Sequence, residues 1–238
     1  MDMGLQDWTH NDRTKSPPTQ PHARWRGSTG SCPEHEPILV PFLGLPRRAG
    51  SGQGVRVTEP GTSVSYDSRI AAELTALGIP SDYAVGRGLA LQPEAKSLVV
   101  ARVLQNGREL KLEPITAERW ATMRESAEKA GVTLLLISGF RSVEAQRDIL
   151  RRKLDSGTSL EEILTVNAAP GYSEHHTGRA VDIGTPGCPP LSEEFETTAA
   201  FAWLKEHAGR FGFRLSYPRQ NPFGVIYEPW HWFRESGN

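Results

Sequence analysis

Apolar residues recur with helical or strand spacing only after about residue 54. Before that point Pro, Ser, Gly, Thr, Arg and His dominate, and no apolar period is visible. This composition predicts a disordered or extended N-terminal segment, residues 1–54. The periodic remainder predicts one folded domain, residues 55–238, made of a lead-in subdomain (55–112) and a core (113–238).

Spacings of three and four residues between apolar positions predict helices within the folded domain. Ser142 is a plausible N-cap for one helix, Gly131 a plausible end of another, and Gly209 a plausible end of a third. The predicted helices span residues 68–77, 116–130, 143–154 and 195–208.

Short apolar or alternating runs predict strands, and Asn106-Gly107 is a strong signal for a hairpin turn between two of them. The predicted strands span residues 98–103, 110–112, 134–137, 180–183 and 213–217. No internal repeat or coiled-coil heptad is present.

Composition narrows the class of protein without identifying it. The 238 residues are 37% hydrophobic and 23% charged, which is typical of a globular domain with a real core. A net charge of −1 gives no sign of a nucleic-acid or membrane-surface partner. Cys32 and Cys188 do not make a disulfide framework. The apolar stretch 38–45 contains Pro41 and is too short to span a membrane, and its flanks do not fit a signal peptide.

Two histidines and an aspartate make the strongest chemical signal. Residues 173–182 read Ser-Glu-His-His-Thr-Gly-Arg-Ala-Val-Asp, and residues 228–231 read Glu-Pro-Trp-His. A catalytic zinc site takes three protein ligands of these types and leaves a fourth position to water. His175, Asp182 and His231 are therefore candidate metal ligands. The alternative is that His175 and Asp182 form a hydrogen-bonded pair in a polar loop.

The local pattern predicts how these side chains are presented. A loop carries His175, a tight turn follows near Gly178, and a strand delivers Asp182. Pro229 argues against a helix between Glu228 and His231 and favours a bent entry into a strand. Glu228 is a candidate general base; as a fourth metal ligand it would instead make the site structural.

Arg141 is predicted to lie where a strand ends and a helix begins, a place from which functional side chains often project. A guanidinium there can bind an oxyanion or a substrate carboxylate, although an ordinary surface arginine is the alternative. His176 adjoins a candidate ligand and is predicted to be an exposed loop residue, with a contact to the ligand shell or to the substrate as the alternative.

Three segments resemble a known family in order and spacing: Ser138-Gly139-Phe140-Arg141-Ser142 with Gln146, the stretch 170–182, and residues 228–232. Over residues 89–233 the chain resembles the VanY-type D-alanyl-D-alanine carboxypeptidases, zinc peptidases that trim peptidoglycan stem peptides. The resemblance implies an α+β fold with a small central antiparallel sheet flanked by helices and a zinc site on the sheet face.

The same resemblance implies roles for individual residues. His175, Asp182 and His231 would bind Zn²⁺, with Glu228 as catalytic base and Arg141 stabilising the oxyanion. Ser173 and Gln146 would line the substrate site. The expected substrate is a peptidoglycan stem peptide ending in D-Ala-D-Ala, and the expected state is a monomer.

Related families with this zinc core leave other functions open. An L,D-carboxypeptidase or an endopeptidase would use the same chemistry on another bond, and a zinc-stabilised binding module would have no turnover. The family implies a cell-envelope or periplasmic location, but no signal peptide is readable, so a cytoplasmic location stays open.

Overall fold

The computed structural model describes residues 65–235, and the predicted N-terminal segment, residues 1–54, lies outside them. The lead-in part begins with two helices and continues with a two-stranded antiparallel hairpin. Ser65 caps the first helix by accepting a hydrogen bond from the Ser68 amide. These elements are α1 (Tyr66–Ala76), α2 (Tyr83–Arg87), β1 (Val99–Val103) and β2 (Glu109–Leu112).

A four-stranded antiparallel sheet forms the centre of the described domain, with strand order β3-β4-β6-β5. In the register of the two middle strands, Asp182 lies opposite His231. The pairing therefore brings together two residues that are 49 positions apart. The strands are β3 (Leu135–Ser138), β4 (Ala180–Gly184), β5 (Phe213–Leu215) and β6 (His231–Arg234).

Four further helices belong to the described domain, and local sequence signals mark where they begin. The longest, α3, has proline in its first turn, and α4 begins after Ser142, whose side chain accepts from the Ala145 amide. A capping box between Ser159 and Glu162 starts α5. These helices are α3 (Pro114–Lys129), α4 (Val143–Asp155), α5 (Leu160–Val166) and α6 (Ala199–His207).

One face of the sheet is apolar and packs in the same buried core as α3 and α6, and alternation along the strands determines which residues lie there. Val181 and Ile183 of β4 and Trp232 of β6 belong to this core. Because neighbouring side chains on a strand point to opposite faces, Asp182 and His231 lie on the other face. A second buried core joins residues of α1, α4 and α5.

The predicted α+β class with a central antiparallel sheet is confirmed, and most predicted elements are present. Gly131, with φ +73°, follows α3 as expected. The division into a lead-in and a core stays a prediction. No helix within residues 65–235 is long and apolar enough to cross a membrane.

Three details of the predicted elements were wrong. Residues 195–208 are not one helix, because Thr198 is extended (φ −87°, ψ 155°) and caps a new helix through the Phe201 amide. A 3₁₀ turn, Glu193–Thr197, precedes it. A second 3₁₀ turn runs past Gly209 and ends at Gly212, where φ is +82°. The strand predicted at 213–217 ends at Leu215.

Candidate metal centre

His175 is held by its backbone and by a hydrogen bond on one side of its ring. It lies in a 3₁₀ turn, Glu174–Thr177, which ends at Gly178 with φ +66°. Nδ1 of His175 donates to the Gly139 carbonyl oxygen at 2.7 Å. Because a neutral imidazole carries one proton, this bond leaves Nε2 with the free electron pair. Nε2 lies 3.3 Å from Asp182 Oδ2.

The two ring nitrogens of His231 face two different carboxylates. Its Nδ1 lies 3.1 Å from Asp182 Oδ1, and its Nε2 lies 2.9 Å from Glu174 Oε2. When Nε2 donates its proton to Glu174, Nδ1 keeps a free electron pair on the side of His175 and Asp182. A carboxylate in this position is the usual outer partner of a metal-binding histidine.

The three predicted ligands therefore converge. One ligand atom from each of His175, Asp182 and His231 lies within 4.8 Å of the others, and all three residues are buried. Two imidazole nitrogens and one carboxylate oxygen are a donor set that zinc accepts, with one coordination position left open. The residues fit a catalytic zinc ion, while the role of each as a ligand stays a prediction.

The electrostatics of the centre follow from burial and from these contacts. The imidazoles of His175 and His231 hold the pKa of the buried Asp182 carboxyl well below its usual range. Burial lowers the pKa of His175. Burial also opposes the charge on His231, but the bonds to Asp182 and Glu174 outweigh it and raise the pKa of His231 to about 10, so a metal ion at Nδ1 would have to displace a proton.

Glu174 was missed by the sequence analysis. Its Oε2 accepts from His231 and, at 2.6 Å, from the Ser216 hydroxyl, while its Oε1 accepts from Arg214 at 3.2 Å. Burial would favour the neutral carboxyl, but these donors lower the pKa of Glu174. The only signal in the sequence is its position next to His175.

Glu228 lies beside the three candidate ligands but is not one of the converging group. The turn at Pro229 and Trp230, closed by a 3.1 Å hydrogen bond from the His231 amide to the Glu228 carbonyl, brings the two residues together. Glu228 Oε2 lies 3.8 Å from His231 Nδ1. Burial, reinforced by the negative charges of Asp182 and Glu174, raises the pKa of Glu228 to about 7. The predicted kink in place of a helix is present.

Arg141 lies between β3 and α4, as predicted, and its guanidinium lines the same cavity as the three candidate ligands. Its Nη1 donates to Gln146 Oε1 at 2.8 Å, and Gln146 Nε2 in turn donates to the Ala168 carbonyl at 2.7 Å. Burial lowers the pKa of Arg141. The buried Gln146 thus fixes the direction of the guanidinium.

Ser173 also lines this cavity and is 5% exposed. His176, in contrast, was predicted to be exposed and is fully buried. Its Nδ1 donates to the Arg141 carbonyl at 2.7 Å, and its Nε2 accepts from the Gly171 amide at 3.0 Å. The buried ring of His176 therefore links the histidine loop to the backbone of Arg141.

The cavity has a volume of about 390 Å³, and its lining is partly polar and partly apolar. Its polar wall holds both carboxylates, Asp182 and Glu228, and the cation of Arg141. The apolar lining residues are Val166, Leu191, Val225, Ile226 and Trp230.

Fold and site together define an α+β protein with an open two-histidine, one-carboxylate metal group of the kind found in metallohydrolases. The family model of VanY, described as D-alanyl-D-alanine carboxypeptidase, matches residues 109–234, more than half of the chain. The chain belongs to the VanY family, which confirms the resemblance on which the site residues were predicted.

Individual relatives agree with this assignment. A D-alanyl-D-alanine carboxypeptidase of Enterococcus faecalis (strain ATCC 700802 / V583) is 35% identical over 118 residues, covering 45% of this chain and 42% of the relative. The bifunctional D-Ala-D-Ala dipeptidase and carboxypeptidase VanXYC of Enterococcus gallinarum is 31% identical, covering 53% of this chain and 67% of the relative. The chain spans less than half the length of several curated relatives that it matches.

Among solved structures, the LD-carboxypeptidase LdcB superposes with a TM-score of 0.50 at 30% identity. The match covers 65% of this chain and 68% of LdcB.

Proposed function

We propose that this protein is a zinc-dependent carboxypeptidase that hydrolyses the D-Ala-D-Ala bond at the end of peptidoglycan stem peptides. The observation that carries the proposal is the convergence of His175, Asp182 and His231 beside an uncoordinated carboxylate, Glu228. Membership of the VanY family supports the substrate class.

The three ligands would hold the metal in a fixed orientation, because both histidines are anchored from behind by Gly139 and Glu174. Zinc bound there would supply Lewis acidity for the reaction. Three protein ligands would leave a fourth coordination position to water or substrate, as in catalytic rather than structural zinc sites.

Glu228 is the proton carrier in this proposal. Its carboxylate accepts a proton as water attacks the scissile carbonyl, and it then donates that proton to the leaving amine. The turn at Pro229 and Trp230 keeps it close to the ligands without making it one of them.

Arg141 supplies the positive charge. As the carbonyl becomes tetrahedral, negative charge develops on its oxygen, and a buried guanidinium stabilises that charge strongly. Gln146 holds the guanidinium in place, and Ser173 offers a hydroxyl on the same wall for the substrate backbone.

The likeness to LdcB supports a second candidate, an L,D-carboxypeptidase that removes the D-residue from a tetrapeptide stem. The chemistry is the same and the bond differs. Hydrolysis rates on a pentapeptide stem ending in D-Ala-D-Ala and on the matching tetrapeptide separate the two. Faster release of D-Ala from the pentapeptide supports the D,D-activity, and the reverse order supports the alternative.

The Glu228→Gln variant tests the mechanism. The glutamine side chain keeps the shape but cannot accept a proton, so we expect kcat to fall by a factor of about 10²–10⁴. Zinc content, measured by inductively coupled plasma mass spectrometry, is expected to stay at the wild-type level. Activity close to wild type in the variant would remove Glu228 from this role.

A further inference from the structure

The polar wall of the cavity continues along α4 beyond the proposed catalytic residues. Lys153 follows Gln146 by seven residues, which is close to two helical turns, so both lie on the same face of α4. Their Cα atoms are separated by about 10 Å along the helix axis at 1.5 Å per residue. Both side chains line the cavity that contains Arg141 and the metal group.

Lys153 has a polar contact but no carboxylate partner among the residues that the structure describes. Its Nζ donates to Asn167 Oδ1, and no carboxylate of residues 65–235 lies within 4 Å of it. Burial, together with the nearby positive charge of Arg141, lowers the pKa of Lys153. A half-buried ammonium with no carboxylate in contact is stabilised when an anionic ligand group binds next to it.

The position of Lys153 indicates which part of a substrate would supply that anion. An extended peptide covers about 3.3–3.6 Å per residue, so 10 Å corresponds to about three residues. A carboxypeptidase releases a single residue, and nothing in its substrate extends that far on the leaving side. Lys153 lies this far along α4 from Gln146, the partner of Arg141, which favours a contact with the part of the peptide that lies before the scissile bond.

We propose that Lys153 and Asn167 form a specificity subsite for a carboxylate carried two or three residues before the scissile bond. The inference rests on the proposed function and adds the class of peptide, one with an acidic group in this part rather than an amidated or basic one. Lys153 supplies the charge, and the Asn167 amide group supplies N–H donors beside it.

The test compares matched peptides that end in D-Ala-D-Ala and carry glutamate or glutamine two or three residues before the scissile bond. Binding is measured by calorimetry on the zinc-loaded Glu228→Gln protein, so that turnover does not interfere. At one of the two positions we expect the glutamate peptide to bind about fivefold more tightly, the upper range for a partly exposed ion pair. Lys153→Met is expected to abolish this preference.

Lys129→Met is the matched control, because it removes the same charge from the solvent-exposed side of α3. It is expected to keep the fivefold preference. Lys153→Glu is expected to reverse the order in favour of the glutamine peptide.

Equal binding of the glutamate and glutamine peptides at both positions would overturn the inference, as would a preference that survives in Lys153→Met. Equal weakening of all peptides by Lys153→Met would also overturn it, since Lys153 would then bind the terminal carboxylate. The proposed activity fails separately: wild-type protein that hydrolyses no peptide, but shows the Lys153-dependent preference in binding, keeps the subsite and loses the reaction.

Discussion

Glu174 offers the sharpest test of how the metal centre is built. Its carboxylate accepts three donors, from His231, Ser216 and Arg214. In Glu174→Gln one carboxylate oxygen becomes an NH₂ group, so at least one of these donors must face another donor. The variant also loses the negative charge that fixes the His231 tautomer, and it keeps the volume of the side chain.

The expected magnitude comes from the role of such outer carboxylates. Loss of the partner of a metal-binding histidine weakens metal binding by about 10- to 100-fold, or about 1.4 to 2.7 kcal/mol. Zinc affinity is measured by competition with a chelator of known affinity. Thermal unfolding of both metal-free proteins shows whether the fold is retained.

Glu235→Gln is the matched control. Glu235 lies 2.8 Å from Nε of the same Arg214, but its side chain is 63% exposed and does not contact His231. We expect this control to change zinc affinity by less than about twofold, as for a surface ion pair. Zinc affinity in Glu174→Gln equal to that of the control would refute the positioning role of Glu174.

Two further substitutions test the ligand set and the loop that presents it. His231→Ala is expected to lose most of its zinc after dialysis, because two protein ligands make a weak site, whereas His207→Ala on α6 keeps it; full zinc content in His231→Ala means that His231 is not a ligand. Gly178→Ala is expected to lower the free energy of unfolding by more than the roughly 1–2 kcal/mol of a left-handed alanine, because its Cβ would lie 2.8 Å from the Glu113 amide nitrogen. Gly187→Ala is the control, because Gly187 also has a positive φ (+81°) but a Cβ built there has no atom within 4 Å. If chemical denaturation shows equal losses of unfolding free energy in the two variants, the close contact at Gly178 is contradicted.

The sequence was informative where short-range rules apply. Helix α4 was predicted from its apolar spacing and from the cap at Ser142, and the loop, turn and strand around Gly178 were predicted from one glycine and an alternating run. The hairpin at Asn106-Gly107 was predicted in the same way. In each case the deciding interactions connect residues that are close in the chain.

Features that depend on contacts between residues far apart in the chain could not be predicted from the sequence pattern. Glu174 reaches His231 across 57 positions, and only the pairing of β4 with β6 brings them together. The burial of His176 depends on Gly171 and Arg141 at once. The break at Thr198 had a local signal, since threonine is a good N-cap, but the apolar spacing on both sides of it suggested one continuous helix.

The central claim is that two nitrogens and one oxygen, from residues far apart in the chain, bind one divalent metal. Anomalous diffraction from crystals of the zinc-loaded protein, collected on both sides of the zinc absorption edge, tests it directly. We predict one strong peak per chain, within bonding distance of His175 Nε2, His231 Nδ1 and an Asp182 carboxylate oxygen. A peak that lies elsewhere, or that contacts fewer than these three residues, would contradict the claim.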